Sequence, residues 1–80
     1  VTVNGEVWSS PSTAGARWSI AEALAYASRG ESVGPGEVLS SGTLPSGCGL
    51  ELDRWIRPGD RVTLAIDRIG SVTNTVAAPA

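Results

Sequence analysis

Eighty residues with a net charge of −2, 41% apolar residues and one cysteine make a single small domain or a piece of a larger one, since a chain this short buries only about 60% of the surface it exposes when unfolded. The six cations are all arginines, scattered rather than clustered, and no run nears the roughly 20 apolar residues of a membrane span, so nucleic acid and membrane are not expected partners. One thiol closes no internal disulfide and suits a reducing cytoplasm, and with no histidine the chain lacks the commonest base and metal ligand near neutral pH.

The chain starts at Val1 with residues that already favour a strand, which suggests an excised fragment or a processed chain. In VTVNGEVW, Asn4 and Gly5 both tolerate positive φ and stand between β-prone runs, the signature of a two-residue hairpin turn. Residues 9–16, SSPSTAGA, are small and polar and read as loop. WSIAEALAYASRG then predicts a helix. Ser19 and Glu22 have capping-box spacing, Trp18 is placed to staple onto the first turn, and Ile20, Leu24 and Ala27 share one face. Arg29 and Gly30 supply a C-terminal charge and a stop.

After Gly34-Pro35-Gly36, EVLSSGT reads as a short strand leading into a loop with unusually many permissive residues, SSGTLPSGCGLE. LELDRWI reads as strand again, with Leu50, Leu52 and Arg54 on one side and Glu51, Asp53 and Trp55 on the other. Pro58-Gly59 within RPGD predicts a turn, and RVTLAID alternates so that Val62, Leu64 and Ile66 should face a core. A tight reversal near Gly70 leads into a last strand, SVTNTV. A hairpin, one helix and several strands without alternating helices predict an α+β fold with a mostly antiparallel sheet.

Four positions are candidates for chemistry, and each has a plainer reading beside it. Glu51 and Asp53, at i and i+2 of an extended segment, could hold a hard cation or supply a base, or could form a solvated strand face paired with Arg54 or Arg57. Thr43, after Ser41-Gly42, offers a hydroxyl and nearby amides to a carboxylate, or simply fastens a turn. Cys48 lies between glycines with no basic neighbour to lower its pKa and is expected to be an ordinary thiol. Trp8, Trp18 and Trp55 are expected as core and interface anchors, with Trp18 the firmest core position.

In order along nearly the whole chain, VNGEV, SIAEALAYAS, PGEVLSSGT, GLEL, RPGD and DRIGSVTNTV resemble the C-terminal portion of the fumarylacetoacetate hydrolase family. The resemblance implies a β-roll or sandwich with one short capped helix, incomplete here, with residues 1–80 forming one unit of a catalytic domain. It also implies metal-assisted chemistry on short oxo-acids: hydrolytic C–C cleavage of acylpyruvate-type β-diketo acids, or, in relatives, hydration, decarboxylation or isomerisation. Mg²⁺ or Ca²⁺ would be bound through an E-x-E pair and an aspartate upstream of this segment. Glu51-Leu52-Asp53 is not that pair, so no metal ligand is assigned to this chain. Thr43 matches the threonine that holds the substrate carboxylate, with Gly42 beside it. Glu51 matches the glutamate that works with an upstream histidine on water. Many bacterial members carry T-G-T-P where this chain has S-G-T-L-P. The full-length protein is expected to be a cytoplasmic homodimer, and the rival expectation is a non-catalytic, β-rich assembly module.

Overall fold

A computed structural model describes all residues, Val1–Ala80. The backbone groups into two compact units, one of Val1–Pro11 with Leu44–Ala80 and the other of Ser12–Thr43. The first is built on a four-stranded antiparallel sheet: β1 (Thr2–Val3), β2 (Glu6–Val7), β3 (Arg61–Ile66) and β4 (Gly70–Thr75), in the order β2-β1-β3-β4. The second contains the one α-helix, α1 (Ile20–Ala27). No helix is long and apolar enough to cross a membrane.

Asn4 and Gly5 take φ of 51° and 82°, so the hairpin joining β1 to β2 turns as its sequence predicts. β3 and β4 pair along their whole length, from Arg61 opposite Thr75 to Ile66 opposite Gly70. The preceding RPGD turn closes with the Asp60 amide donating to Arg57 O at 3.0 Å, and Gly59 at φ 91° supplies the left-handed residue this turn requires. Around α1, the Ser19 hydroxyl accepts from the Glu22 amide at 3.1 Å while the Glu22 carboxylate accepts from the Ser19 amide at 2.8 Å. The capping box therefore forms in full and starts the helix at Ile20.

Three expectations are corrected. EVLSSGT forms no strand. LELDRWI forms no strand either: Gly49–Leu52 is a 3-10 helix ending at Asp53, which is left-handed at φ 53°. The reason is visible in its bonds. The Glu51 amide donates to Cys48 O and the Asp53 amide to Leu50 O, while the Arg54 amide returns to Gly49 O at 2.9 Å. That return brings the Arg54 carbonyl so near Gly49 that a Cβ there would lie 2.6 Å from it. The alternation of GLELD thus gave way to a short-range turn that only glycine at position 49 admits.

The third correction concerns the core. Val3 is the one buried apolar side chain, with Val62 half-buried beside it in the β1–β3 register. Leu64 and Ile66, expected on a buried face, are 53% and 63% exposed, and Trp18, expected in the core, is 65% exposed under the Arg17 guanidinium, 5.3 Å from its ring. Along β3 the alternation is present, but only the end next to β1 is covered by this segment. Trp55 is also exposed, whereas Trp8 is half-buried with Arg54 stacked on it at 5.4 Å.

Candidate functional site

Glu51 sits on the 3-10 helix rather than on a strand, and its Oε2 accepts from the Ser46 amide at 2.8 Å. Oε1 has no protein partner, and the side chain is open to solvent. One oxygen sets the carboxylate's direction and the other is left without a protein bond. The opposite end of the loop is fixed as well, because the Gly47 amide donates to Leu44 O at 3.0 Å and closes a turn with Pro45 and Ser46 at its centre. Ser46 takes φ 58°, a conformation that costs an L-residue about 1–2 kcal/mol.

Ser46 is held from a second direction. The Ser9 hydroxyl donates to Ser46 O at 2.6 Å, and Ser9 is only 7% exposed. Ser9 is fixed in turn, because its amide donates to Val1 O and its carbonyl accepts from the Val1 nitrogen at 2.8 Å. Sequence reading missed both serines. Ser9 looks like any residue of a small polar loop, and no local pattern couples it to a turn 37 residues on.

Of the other sequence candidates, Asp53 does not join Glu51. It caps the 3-10 helix in the left-handed region, and no three His, Cys, Asp or Glu side chains of the chain converge as a cation site requires. The residues present do not make up the donor set that a divalent cation needs. Cys48 is exposed and precedes the 3-10 helix as its cap residue without a side-chain bond. Thr43 is the last residue of the second unit, exposed, and next to Gly42, whose φ is 93° and whose amide lies 3.4 Å from Ser40 Oγ.

A second polar cluster of the first unit was also not foreseen. Asn4 Nδ2 donates to Asp60 Oδ1 and the Arg57 amide donates to Asp60 Oδ2, while the Arg61 amide donates to Asn4 Oδ1, all at 2.8–2.9 Å. The Arg57 amide, then Asn4, hold the Asp60 carboxyl below its ordinary range, and the Arg57 charge adds to this against a small opposing effect of burial. With both oxygens occupied, Asp60 fastens the hairpin to the RPGD turn and is not available to a substrate.

The family model described as fumarylacetoacetate (FAA) hydrolase C-terminal matches residues 1–77. Oxaloacetate tautomerase YisK of Bacillus subtilis (strain 168) is 34% identical over 76 residues, covering 92% of this chain and 25% of that protein. An uncharacterized protein of Staphylococcus aureus (strain USA300) is 30% identical over 76 residues, covering 94% of this chain and 25% of that protein. The chain thus spans about a quarter of the length of these relatives. No solved structure matches it. Matched over nearly its whole length, this chain belongs to the fumarylacetoacetate hydrolase family and corresponds to its C-terminal part.

Proposed function

We propose that these residues are the C-terminal part of the catalytic domain of an enzyme acting on short 2-oxo acids through an enol or enolate, and that they supply one wall of its active site. The observation that carries this reading is the Glu51 carboxylate, directed at one oxygen by the Ser46 amide and open at the other. In the keto–enol interconversion of a dicarboxylic 2-oxo acid, the free oxygen of Glu51 would accept the proton from the carbon between the two carbonyl groups. That proton is later returned to carbon or passed to the enol oxygen. Thr43 would donate its hydroxyl, and Gly42 its amide, to a substrate carboxylate. The name of the Bacillus subtilis relative, an oxaloacetate tautomerase, favours this reaction.

A second reading, hydrolytic C–C cleavage of an acylpyruvate-type acid, is favoured by the description of the family model. There Glu51 would orient and activate water, whose attack on the distal carbonyl releases an enolate to be protonated. A histidine for that step, like the ligands of Mg²⁺ or Ca²⁺, would come from outside these eighty residues. The enzyme is proposed to be a cytoplasmic homodimer, and the uncovered Leu64, Ile66 and Val72 support there being more protein over that face.

The deciding experiment uses the full-length protein with two substrates. Oxaloacetate supplied as its enol should lose its enol absorbance faster than in buffer without releasing a cleavage product. An acylpyruvate split to pyruvate and a carboxylic acid would select hydrolysis instead. Turnover of neither, nor of 2-oxo-pentenoate-type acids in a hydration or decarboxylation assay, would leave the assembly-module reading in place of an enzyme.

A further inference from the structure

A non-glycine residue in the left-handed region at the centre of a tight turn is held there by its surroundings, and such positions gather where geometry matters for function. Ser46 is one, and its two backbone groups are engaged from two sides: the amide by Glu51 and the carbonyl by Ser9. The short turn Leu44–Gly47 and the 3-10 helix Gly49–Leu52 are separated only by Cys48, so the direction of the Glu51 carboxylate depends on where the Ser46 amide points. Glu51 cannot hold the turn unaided. Its side chain is exposed, and water competes for both of its oxygens. Ser9 does not have that weakness. It is buried, and its own backbone is tied to Val1, so its hydroxyl is a fixed donor.

From this geometry we infer that Ser9 is a positioning residue for Glu51: its hydroxyl pins the Ser46 carbonyl, and the turn so fixed presents the amide that aims the Glu51 carboxylate. The inference rests on the reading of Glu51 as the acting carboxylate. It adds a residue from the hairpin end of the chain that touches neither Glu51 nor a substrate. A mere space-filler at position 9 would be satisfied by any small side chain, whereas a positioning hydroxyl would not.

The test uses the full-length protein and has two independent readouts. Hydrogen exchange of the Ser46 amide, followed in serine-labelled protein, reports whether Ser9 holds the turn whatever the reaction is. Ser9→Ala should speed that exchange by about five- to thirty-fold, the loss equivalent to one hydrogen bond. Because Thr and Val share a shape, Ser9→Thr should stay near wild type and Ser9→Val should not, which keeps the hydroxyl's effect separate from any effect of size. Unchanged Ser46 exchange in Ser9→Ala, or equal exchange in the Thr and Val variants, overturns the inference. In the kinetic readout Ser9→Ala should lower kcat by a similar factor with KM unchanged, and should have no effect once Glu51→Gln is present. Equal loss in both backgrounds also overturns it, since Ser9 would then act other than through Glu51. A Glu51→Gln protein with wild-type kcat removes the catalytic reading instead, and the exchange result still decides whether Ser9 holds the carboxylate.

Discussion

At one corner of the first unit, Asn4 reaches 56 residues along the chain to Asp60; at another, Ser9 reaches 37 residues to Ser46. Both use a polar side chain from the N-terminal segment to fasten a distant turn, and each turn bonds a carboxylate through a backbone amide. The difference lies in what is left over. Asp60 accepts from Asn4 on one oxygen and from Arg57 on the other, so both of its oxygens are engaged within the protein. Glu51 accepts from Ser46 alone and keeps an oxygen free. A carboxylate fully bonded by its own protein is a fastener, and one bonded at a single oxygen is aimed and still able to bind. Sequence spacing does not distinguish the two.

The sharpest way to break this comparison is at Glu51 itself. On the proposed function, Glu51→Gln in the full-length protein keeps the shape and the acceptor for Ser46 but removes the base, so kcat should fall by about 10²–10⁴-fold with KM little changed. Steady-state kinetics showing kcat within a few-fold of wild type would place Glu51 with Asp60 among the fasteners. Thr43→Val should act on the other kinetic parameter. Loss of one hydrogen bond to a charged group is worth about 1.5–3 kcal/mol, so KM should rise roughly ten- to a hundred-fold with kcat largely retained.

Gly49→Ala tests the support under Glu51. A Cβ at 2.6 Å from the Arg54 carbonyl forces the backbone apart, and overpacking of this kind costs about 1–3 kcal/mol, measurable by urea unfolding. The Asp60 corner gives a pH-dependent counterpart. Because its folded carboxyl titrates below the ordinary 3.8, its contribution to stability is present above that value and is lost as pH falls through the folded one. Asp60→Asn should therefore flatten the acid end of the stability–pH curve while leaving kcat of the folded enzyme alone. The smallest effect is expected at Cys48, whose exposed thiol has no activating neighbour: Cys48→Ser should retain most activity, and a hundred-fold loss of kcat in a folded protein would contradict this.

What could be read from the sequence was what neighbours decide. Asn4-Gly5, Ser19 with Glu22, and Pro58-Gly59 each act within a few residues, and the hairpin, the helix start and the turn form where those pairs stand. The β3–β4 ribbon was legible for the same reason, since its alternation sits between two turns. GLELD shows where this reading stops. Its alternation is that of a strand, but the close return of Arg54 onto Gly49 and the left-handed Asp53 coil it into a 3-10 helix, which moved Glu51 off the strand expected to present it. Leu64 and Ile66 mark another limit, because a periodic pattern gives the face that wants cover and not the protein that covers it. The Ser9–Ser46 and Asn4–Asp60 bonds span too much chain to leave a local trace.

β4 is paired on one side only. Its outer rim, Gly70–Thr75, ends the sheet with exposed side chains at every position, Val72 among them, and Ile69 stands exposed just before it. Natural sheets commonly blunt such rims with lysine, and this chain has none. Anyone preparing these eighty residues by themselves should therefore expect sticky material: strands from neighbouring molecules can add to the open rim, and the apolar patch beside it favours their doing so. A lysine in place of Val72 is the simplest remedy for such a preparation.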